Sequence, residues 1–380
     1  MIREQILKDL IHLPQNKFPV TSAYFTLDNI AGNRKSHIVE IKKQIRYKKE
    51  KTYFRQLSTE EQESVLSDFD RILHWFGKEL NPAESISSIC FSSSGANLWR
   101  TLNFKIPLPQ NILVIQPYPY IRPYTILFSR YRNYAVVLVD RSKAKIFESH
   151  LGEFREHFHI EDNAPESVKV GGFKGRQERK VERNIHQGVI QHYKEVAQEI
   201  FDLHQKFDFH WIILGGRKEV LAEFSKYLHP YISARIAGQI EVEPTAPLAE
   251  VLKKVEKTEE QARNNYEQAL LKSLLDRKSA GQTVDGIQAV LDKIQDNWVD
   301  KLIIQEHFFK KGLFCRNCGF LSLKPLASCP AGCGKLERTN DLVEHLVHRA
   351  LKQGVDLQFV SSNMDDYAGI AAILRFSIGG

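Results

Sequence analysis

The chain has 380 residues, of which 42% are hydrophobic and 26% charged, a composition that favours a soluble globular protein with two or three domains. Its formal net charge of +7 favours a polyanionic partner such as nucleic acid, or simply keeps the protein in solution. No apolar run approaches the roughly 20 residues that span a bilayer, and the charged N-terminus does not fit a secretory signal, so we expect a cytoplasmic protein without a membrane partner.

The first 130 residues carry mixed helix and strand signals. A helix is predicted to about Leu13 and a strand in FPVTSAYFTLD, followed by a polar helix over 34–55 with nine Lys or Arg against two Glu. In that helix the cations Lys42, Lys43 and Arg46 are candidate RNA contacts, although an ordinary solvated helix face explains them equally well.

The rest of this N-terminal region has one strong helix signal and two strand signals. Ser58 stands three residues before Glu61, the spacing of a capping box, and predicts a second helix that starts there. The stretches ISSICFS and NILVIQ are predicted strands. The proline- and tyrosine-rich stretch PYPYIRPYTILFSRYRNY is predicted to be a connector.

A second α/β pattern begins at Tyr134. YAVVLVDRSKAKIFESHLGEF predicts two strands joined by a turn at Asp140, and apolar residues recur at helical spacing from Val181 to Leu203. HWIILGG is then a buried strand and KEVLAEFSKYL a helix. The proline-containing EVEPTAPLAE marks the next boundary, after which helices, strands and a cysteine segment form a third unit. The predicted domains are therefore 1–130, 131–242 and 243–380.

Four of the five cysteines lie within 19 residues, in the insert 313–336. Their pattern is Cys315-x2-Cys318-x10-Cys329-x3-Cys333, and each pair is followed by a glycine. Clustered cysteines in a cytoplasmic protein favour metal over disulfides, and four thiolates suit a structural, tetrahedral Zn²⁺. The alternative is four reduced thiols without a metal.

The segment VGGFKGRQERKVERN, residues 170–184, combines glycines, cations and a single amide before the long predicted helix. Glycines permit close backbone approach, and cations at a helix N-terminus attract phosphate. The candidate RNA-binding residues here are Lys174, Arg176, Arg179, Lys180 and Arg183. A solvated loop with ordinary ion pairs along the helix is the alternative.

This loop resembles the tip of the middle domain of the archaeal and eukaryotic class-1 peptide release factors, which carry Gly-Gly-Gln at this point. VDKLIIQEH, the cysteine insert and DDYAGIAAILRF resemble the third domain of that family, so the likeness covers roughly residues 131–380. The wider family includes Pelota, which rescues stalled ribosomes, and bacterial homologues such as the hibernation factor Balon. The resemblance implies three domains: a divergent N-terminal α/β domain, an RNase H-like middle domain and a C-terminal α-β-α sandwich with the zinc-binding insert.

By matching position, the catalytic candidates are Gln177 and Gly175. In the family the glutamine enters the peptidyl-transferase centre and helps place a water on the peptidyl-tRNA ester. Arg176 departs from the family because it stands where the second glycine belongs. A side chain at this position can hinder the glycine geometry, whereas an arginine can anchor on phosphate, so hydrolysis is left open.

The resemblance implies a tRNA-mimicking factor that binds ribosomal RNA and peptidyl-tRNA in the A site of stalled ribosomes, as a monomer, and that meets a translational GTPase. Three alternatives remain: a peptidyl-tRNA hydrolase, a non-catalytic hibernation or protection factor, and a general RNA-binding protein. A nuclease is disfavoured because Asp140 is the only acidic candidate on the first hairpin, and LGGRKE is not a phosphate-binding P-loop.

Overall fold

The computed structural model describes residues 2–13, 17–27, 36–81, 83–161 and 176–377. By compactness the chain divides into two units: Met1–Arg130 together with Glu267–Gly380, and Tyr131–Tyr266. The three-domain division stays a prediction. The first compact unit contains the predicted first domain together with most of the predicted third domain. Among the described residues, none of the helices combines the length and apolarity needed to cross a bilayer.

The N-terminal part of the first unit is an antiparallel sheet covered by helices. Its elements are α1 (Ile2–Ile11), β1 (Val20–Thr26), α2 (Ser36–Glu50), α3 (Thr52–Gln56), α4 (Thr59–His74), β2 (Ser87–Ser93), β3 (Leu98–Phe104), β4 (Ile112–Gln116) and α5 (Arg122–Arg130). The sheet order is β3-β2-β1-β4, and all neighbours are antiparallel. Apolar residues of α2 and α4, such as Ile41 and Phe69, pack with Ala23 and Phe25 of β1.

The capping box at the start of α4 is confirmed. The Glu61 backbone N–H donates to the Ser58 hydroxyl at 3.3 Å, and the Ser58 N–H donates to the Glu61 carboxylate at 2.8 Å. These two bonds satisfy N–H groups that have no partner inside the helix. The last turn of α4 continues into a five-residue π-helix, Trp75–Glu79.

The second unit contains a five-stranded mixed sheet. Its elements are β5 (Tyr134–Val139), β6 (Lys143–His150), β7 (Glu153–Glu161), α6 (Arg176–Phe207), β8 (Trp211–Gly215), α7 (Lys218–Phe224), α8 (Pro230–Ser233) and β9 (Ile236–Ile240). The order is β7-β6-β5-β8-β9, with β5, β6 and β7 antiparallel and β8 and β9 parallel to β5. This is the predicted RNase H-like sheet.

Helices cover the two sides of that sheet. Tyr193 and Ile200 of α6 pack with Val137 of β5 on one side of the sheet. On the other side, Val136 and its neighbours pack with the first turns of the long helix that follows β9. Side chains alternate between the two faces of a strand, so one apolar strand serves both layers.

The C-terminal part of the first unit adds a second mixed sheet and a small ribbon. The helix α9 (Leu248–Lys278) begins in the second unit and ends in the first. The elements after it are β10 (Thr283–Asp285), α10 (Ile287–Gln295), β11 (Val299–Gln305), β12 (Gly312–Phe314), β13 (Leu321–Ser322), β14 (Glu337–Thr339), α11 (Leu342–Lys352), β15 (Asp356–Val360) and β16 (Ile370–Leu374). The main sheet has the order β10-β16-β11-β15, and β11 runs parallel to β15. The mixed α/β class with a cysteine insert is therefore confirmed.

The predicted connector around PYPYIRPYTILFSRYRNY is wrong, because this stretch contains α5. Pro123 is tolerated there since it lies in the first turn, where backbone N–H groups have no partner inside the helix. The Glu344 carboxylate accepts the preceding N–H groups of Ile121 and Arg122, at 2.8 and 2.9 Å. The acceptor comes from α11, so the local sequence does not reveal it. Nor does the sequence predict β3, which pairs along one edge of β2.

Arg122 extends this connection through its side chain. Its guanidinium donates to both oxygens of Asp341 at 3.1 Å and to the backbone carbonyls of Glu306 and Phe308. The Tyr120 hydroxyl donates to the same Asp341 carboxylate at 3.0 Å. Since Arg122 is buried, these charge-assisted bonds replace the water that its guanidinium loses on folding.

We expect Glu344→Ala to lower the free energy of unfolding by about 3 kcal/mol, because it leaves two backbone N–H groups buried without an acceptor. Chemical denaturation monitored by tryptophan fluorescence measures the change. Glu63→Ala removes an exposed helical carboxylate and serves as the control, with an expected change within about 0.5 kcal/mol. A loss below about 1 kcal/mol for Glu344→Ala would contradict this role.

Candidate functional site

The cysteine insert folds into a three-stranded ribbon with a cysteine pair in each of two turns. The strand order is β13-β12-β14. Cys315 follows β12 directly and Cys318 precedes β13, whereas Cys329 and Cys333 lie ahead of β14. The four residues that the sequence spacing predicts as ligands therefore converge in the structure.

Two backbone hydrogen bonds shape these turns. The Gly319 N–H donates to the Cys315 carbonyl at 2.9 Å, and the Gly332 N–H donates to the Cys329 carbonyl at 2.9 Å. Gly319 and Gly332 have φ values of +71° and +68°, which residues with a Cβ rarely adopt. Gly319, after the first pair, and Gly332, within the second pair, therefore let the chain fold back around the sulfur atoms.

The sulfur geometry suits one tetrahedral metal ion. All four Sγ atoms lie within 4.8 Å of one another. The Sγ atoms of Cys315 and Cys333 are 3.3 Å apart, and those of Cys318 and Cys329 are 3.5 Å apart. A Zn–S bond of about 2.3 Å places the sulfurs of a tetrahedral site about 3.8 Å apart, close to these separations. The cluster could hold a metal ion, and its donors leave no open position for a catalytic water.

The thiols are held in unequal electrostatic surroundings. Burial opposes ionisation of Cys315, but N–H groups of Cys318 and Asn317 and the Cys333 thiol outweigh it and lower the Cys315 pKa to about 7. Hydrogen bonds with the neighbouring thiols raise the pKa of Cys333. N–H groups directed at sulfur stabilise the thiolate form, which is the form that binds metal.

The ribbon is held against α11 by polar and aromatic contacts. The Arg349 guanidinium donates to the carbonyl of Gly319 at 3.0 Å and to that of Gln295 at 3.3 Å. The Phe314 and His345 rings stack with their centroids 3.9 Å apart. Burial lowers the pKa of His345 to about 3, with His348 contributing, so the stacked imidazole is neutral at neutral pH.

The loop that resembles the release-factor tip is described only from Arg176 onward. Lys174 and Gly175 lie outside the described residues, as does the rest of 162–175. Helix α6 begins at Arg176, five residues before the predicted periodic run, so Gln177 lies in its first turn. The Arg183 side chain, two turns further along, is exposed. The catalytic and RNA-binding roles of these residues stay predictions.

The predicted basic helix presents its cations to solvent. Lys42, Lys43 and Arg46 are exposed on α2, whereas Ile41 and Ile45 of the same helix are buried in the core. The basic face is thus built by amphipathic packing, and its role in RNA binding stays a prediction.

Sequence reasoning missed one feature of this face. Tyr47 is 54% exposed, and the Lys51 ammonium lies 4.0 Å from the centre of its ring. A cavity of about 470 Å³ lies beside it, lined by Lys43, Arg46, Tyr47 and Asn111 among others. The spacing of Tyr47, four residues from both Lys43 and Lys51, could have revealed an aromatic ring among cations.

Asp140 is a turn residue, as predicted. Its carboxylate accepts the backbone N–H groups of Ser142 at 2.7 Å and Lys143 at 2.6 Å, in the turn between β5 and β6. The Asp140 carboxylate therefore stabilises the turn itself, which is typical of aspartate in turns.

Residues 119–269 match the family described as bacterial archaeo-eukaryotic release factor family 10. This range contains the whole RNase H-like sheet and the loop before α6. In this region the chain is similar to the bacterial archaeo-eukaryotic release factors. The predicted relationship is therefore confirmed, and it includes the segment in which Gln177 lies.

Several solved structures resemble this chain loosely. The archaeal translation termination factor aRF1 is 16% identical, with 99% of this chain and 97% of that chain covered and a TM-score of 0.27. Saccharomyces cerevisiae Dom34 is 12% identical, with coverage of 77% and 81% and a TM-score of 0.43. A ribosome-bound archaeal Pelota is 14% identical, with coverage of 77% and 78% and a TM-score of 0.44. No curated protein matches this chain.

We expect the purified protein to contain one zinc ion per chain, measured by elemental analysis, and Cys315→Ser to lose it, because three sulfurs hold the ion less tightly. The variant should also unfold at a lower temperature, since the ribbon has little core of its own. Cys90→Ser is the matched control and should retain the metal, because Cys90 lies in the N-terminal sheet away from the ribbon. Zinc retained in full by Cys315→Ser would exclude this ligand set.

Proposed function

We propose that the protein is a ribosome-binding translation factor that mimics tRNA in the A site of stalled ribosomes. The observation that carries the proposal is the family match over residues 119–269, which spans the GGFKGRQ loop and the start of α6. In this proposal the factor acts in the cytoplasm as a monomer, and its C-terminal part meets a translational GTPase.

Charge and helix geometry explain how the loop would bind RNA. Five cations occur between sequence positions 174 and 183, around the residue at which α6 begins: Lys174, Arg176, Arg179, Lys180 and Arg183. The N–H groups and the dipole at a helix N-terminus favour phosphate. Each phosphate contact releases counterions, so binding should weaken steeply with salt. The exposed cations of α2 offer further phosphate contacts in the same protein.

The chemistry assigned to Gln177 is positioning. A glutamine amide offers a carbonyl acceptor and two N–H donors and does not titrate near neutral pH. It can therefore orient a water toward the ester of peptidyl-tRNA without removing its proton, and orientation alone can lower the barrier substantially. In this proposal Gly175 supplies the backbone freedom that brings the amide to the ester.

The backbone at Arg176 bears on whether hydrolysis occurs. Since α6 begins at this residue, Arg176 belongs to a right-handed helix, a conformation that arginine adopts readily. The described state therefore does not require a glycine at this position. If the active loop on the ribosome needs a glycine-only conformation here, Arg176 opposes it.

A second candidate function follows from that same residue. If Arg176 anchors the loop on phosphate and Gln177 does not reach the ester, the protein fills the A site without chemistry, as a hibernation or protection factor. The third candidate is a general RNA-binding protein that acts away from the ribosome. Cosedimentation with ribosomes at moderate salt separates this last candidate from the other two.

In this proposal the cysteine cluster holds Zn²⁺ in a structural role. Four thiolates would complete the coordination of the ion, so the metal supplies cohesion to the ribbon and takes no part in ester hydrolysis. Arg349 would then join a rigid ribbon to α11.

We expect Gln177→Ala to abolish release of labelled peptide from stalled ribosome–peptidyl-tRNA complexes and to leave ribosome binding within about twofold of the wild type. The reason is that the variant removes the water-orienting amide but none of the cations. Gln187→Ala, an exposed glutamine on the same helix, is the matched control and should release peptide normally. Release by Gln177→Ala at the wild-type rate would refute the catalytic assignment.

The same assay separates the two ribosomal functions. Wild-type protein that binds ribosomes and releases no peptide would support the hibernation or protection factor instead. Wild-type protein that does not cosediment with ribosomes would leave general RNA binding as the remaining candidate.

We expect Arg176→Gly to increase the rate of peptide release about tenfold if the arginine side chain hinders the active loop conformation. Arg176→Ala is the control, because it removes the charge and retains a Cβ. Faster release by the glycine variant alone would identify backbone freedom as the cause. Equal effects of both variants, or a loss of release by the glycine variant, would contradict the steric explanation.

A further inference from the structure

A second cavity lies within the first unit. It has a volume of about 770 Å³, within the range of about 300–1,000 Å³ typical of small-molecule sites. Its walls come from α1, β3 with the turn that precedes it, the segment 117–119, the cysteine ribbon and α11. Elements from both ends of the chain therefore enclose it.

One wall of the cavity is aromatic. The Tyr118 ring lies 4.4 Å from the His348 ring and 5.3 Å from the His345 ring, measured between centroids. Phe314 stacks on His345 behind it. The cavity also has an apolar lining, which includes Leu10 and Leu98. A flat aromatic group can pack on such a wall with favourable ring geometry.

The polar lining of the cavity is positively charged. Arg100, Arg316, Arg349 and Lys352 line it, and no aspartate or glutamate is among the described lining residues. In a protein with 46 Asp or Glu, a lining of four cations without a carboxylate marks a local positive field. Such a field favours an anionic ligand.

The metal cluster accounts for part of this charge. Four thiolates on Zn²⁺ leave two negative charges, and Arg316 and Arg349 stand beside the cysteine turns where they would offset them. Arg100 and Lys352 lie on β3 and α11, are exposed, and make no ion pair with a described carboxylate. These two cations therefore remain available to a ligand.

Several lining residues also carry unused hydrogen-bonding capacity. Ser93 Oγ, His345 Nδ1, Arg349 Nε and Gln353 Oε1 are buried and have no hydrogen-bond partner among the described residues. Buried polar atoms without partners are costly and uncommon. A polar ligand atom or a bound water at this wall would satisfy them after small side-chain rotations.

We propose that this cavity binds a small organic anion with an aromatic body. The ring of the ligand packs against Tyr118 and the apolar lining of the cavity. The anionic group of the ligand contacts Arg100 and Lys352. The ligand head group can be a phosphate, as in a mononucleotide, or a carboxylate. The site is independent of Gln177 and of peptide release, so it can bind even if the ribosomal function fails.

Fluorescence titration with the aromatic sulfonate 8-anilinonaphthalene-1-sulfonate tests the proposal on the full-length protein. We expect saturable binding of one probe per chain, and competition by AMP or by 1-naphthoate identifies the preferred head group. The double variant Arg100→Ala, Lys352→Ala should weaken probe binding about fivefold or more, because two exposed cations are lost. Lys78→Ala, Lys105→Ala removes two exposed cations outside the cavity and should bind as the wild type does.

A cavity-filling variant provides an independent measurement. Ala96→Trp places an indole at the half-buried turn before β3, and should abolish probe binding while the thermal unfolding midpoint is retained. The proposal is overturned if the probe does not saturate, if neither AMP nor 1-naphthoate competes, or if the Arg100 and Lys352 double variant binds as tightly as its control. Retained binding by a folded Ala96→Trp variant would also overturn it.

Discussion

The first unit depends on the hydrogen bonds that the buried carboxylate of Glu344 accepts. It lies in α11 and accepts the N–H groups of Ile121 and Arg122, 223 and 222 residues earlier in the chain. A carboxylate removed from water is stable only where hydrogen-bond donors surround it. The carboxylate and the two N–H groups are therefore buried together or not at all. Helix α5 begins at this point, and Arg122 then connects it to Asp341 and to the chain after β11. The N-terminal and C-terminal parts are thereby held in one compact unit.

This connection also creates the surface features beside it. The segment 117–119 runs directly into the Glu344 contact, and His348, one turn further along α11, donates its Nε2–H to the Pro119 carbonyl at 2.8 Å. Tyr118 is thus held against the rings of α11, and the cavity beside the ribbon has a fixed aromatic wall. A metal ion in the ribbon would hold the remaining wall in place. The proposed small-molecule site and the cysteine cluster are consequently linked by α11.

The second unit combines local hairpins with strand pairings between residues far apart in the chain, such as Tyr134 with Trp211. The strands β5, β6 and β7 are consecutive hairpins, and Asp140 closes the first of them with its own carboxylate. Helix α6 then continues for 32 residues from the loop that resembles the release-factor tip. A long helix anchored by Tyr193 and Ile200 can present its N-terminus at a distance from the sheet. In the proposed function, this N-terminus is the part of the second unit that meets RNA.

The sequence by itself determined most of the element types, the capping box at Ser58, the turn at Asp140, the four cysteines and the release-factor relationship. Each of these is encoded by residues close together in the chain, through periodicity, spacing or a motif. Only the tertiary structure decided that α5 is a helix, that β3 pairs with β2, that the four sulfurs lie within 4.8 Å, and that a cationic cavity forms beside the ribbon. These features depend on contacts between residues far apart in the chain, such as Ile121 with Glu344, which no local pattern encodes.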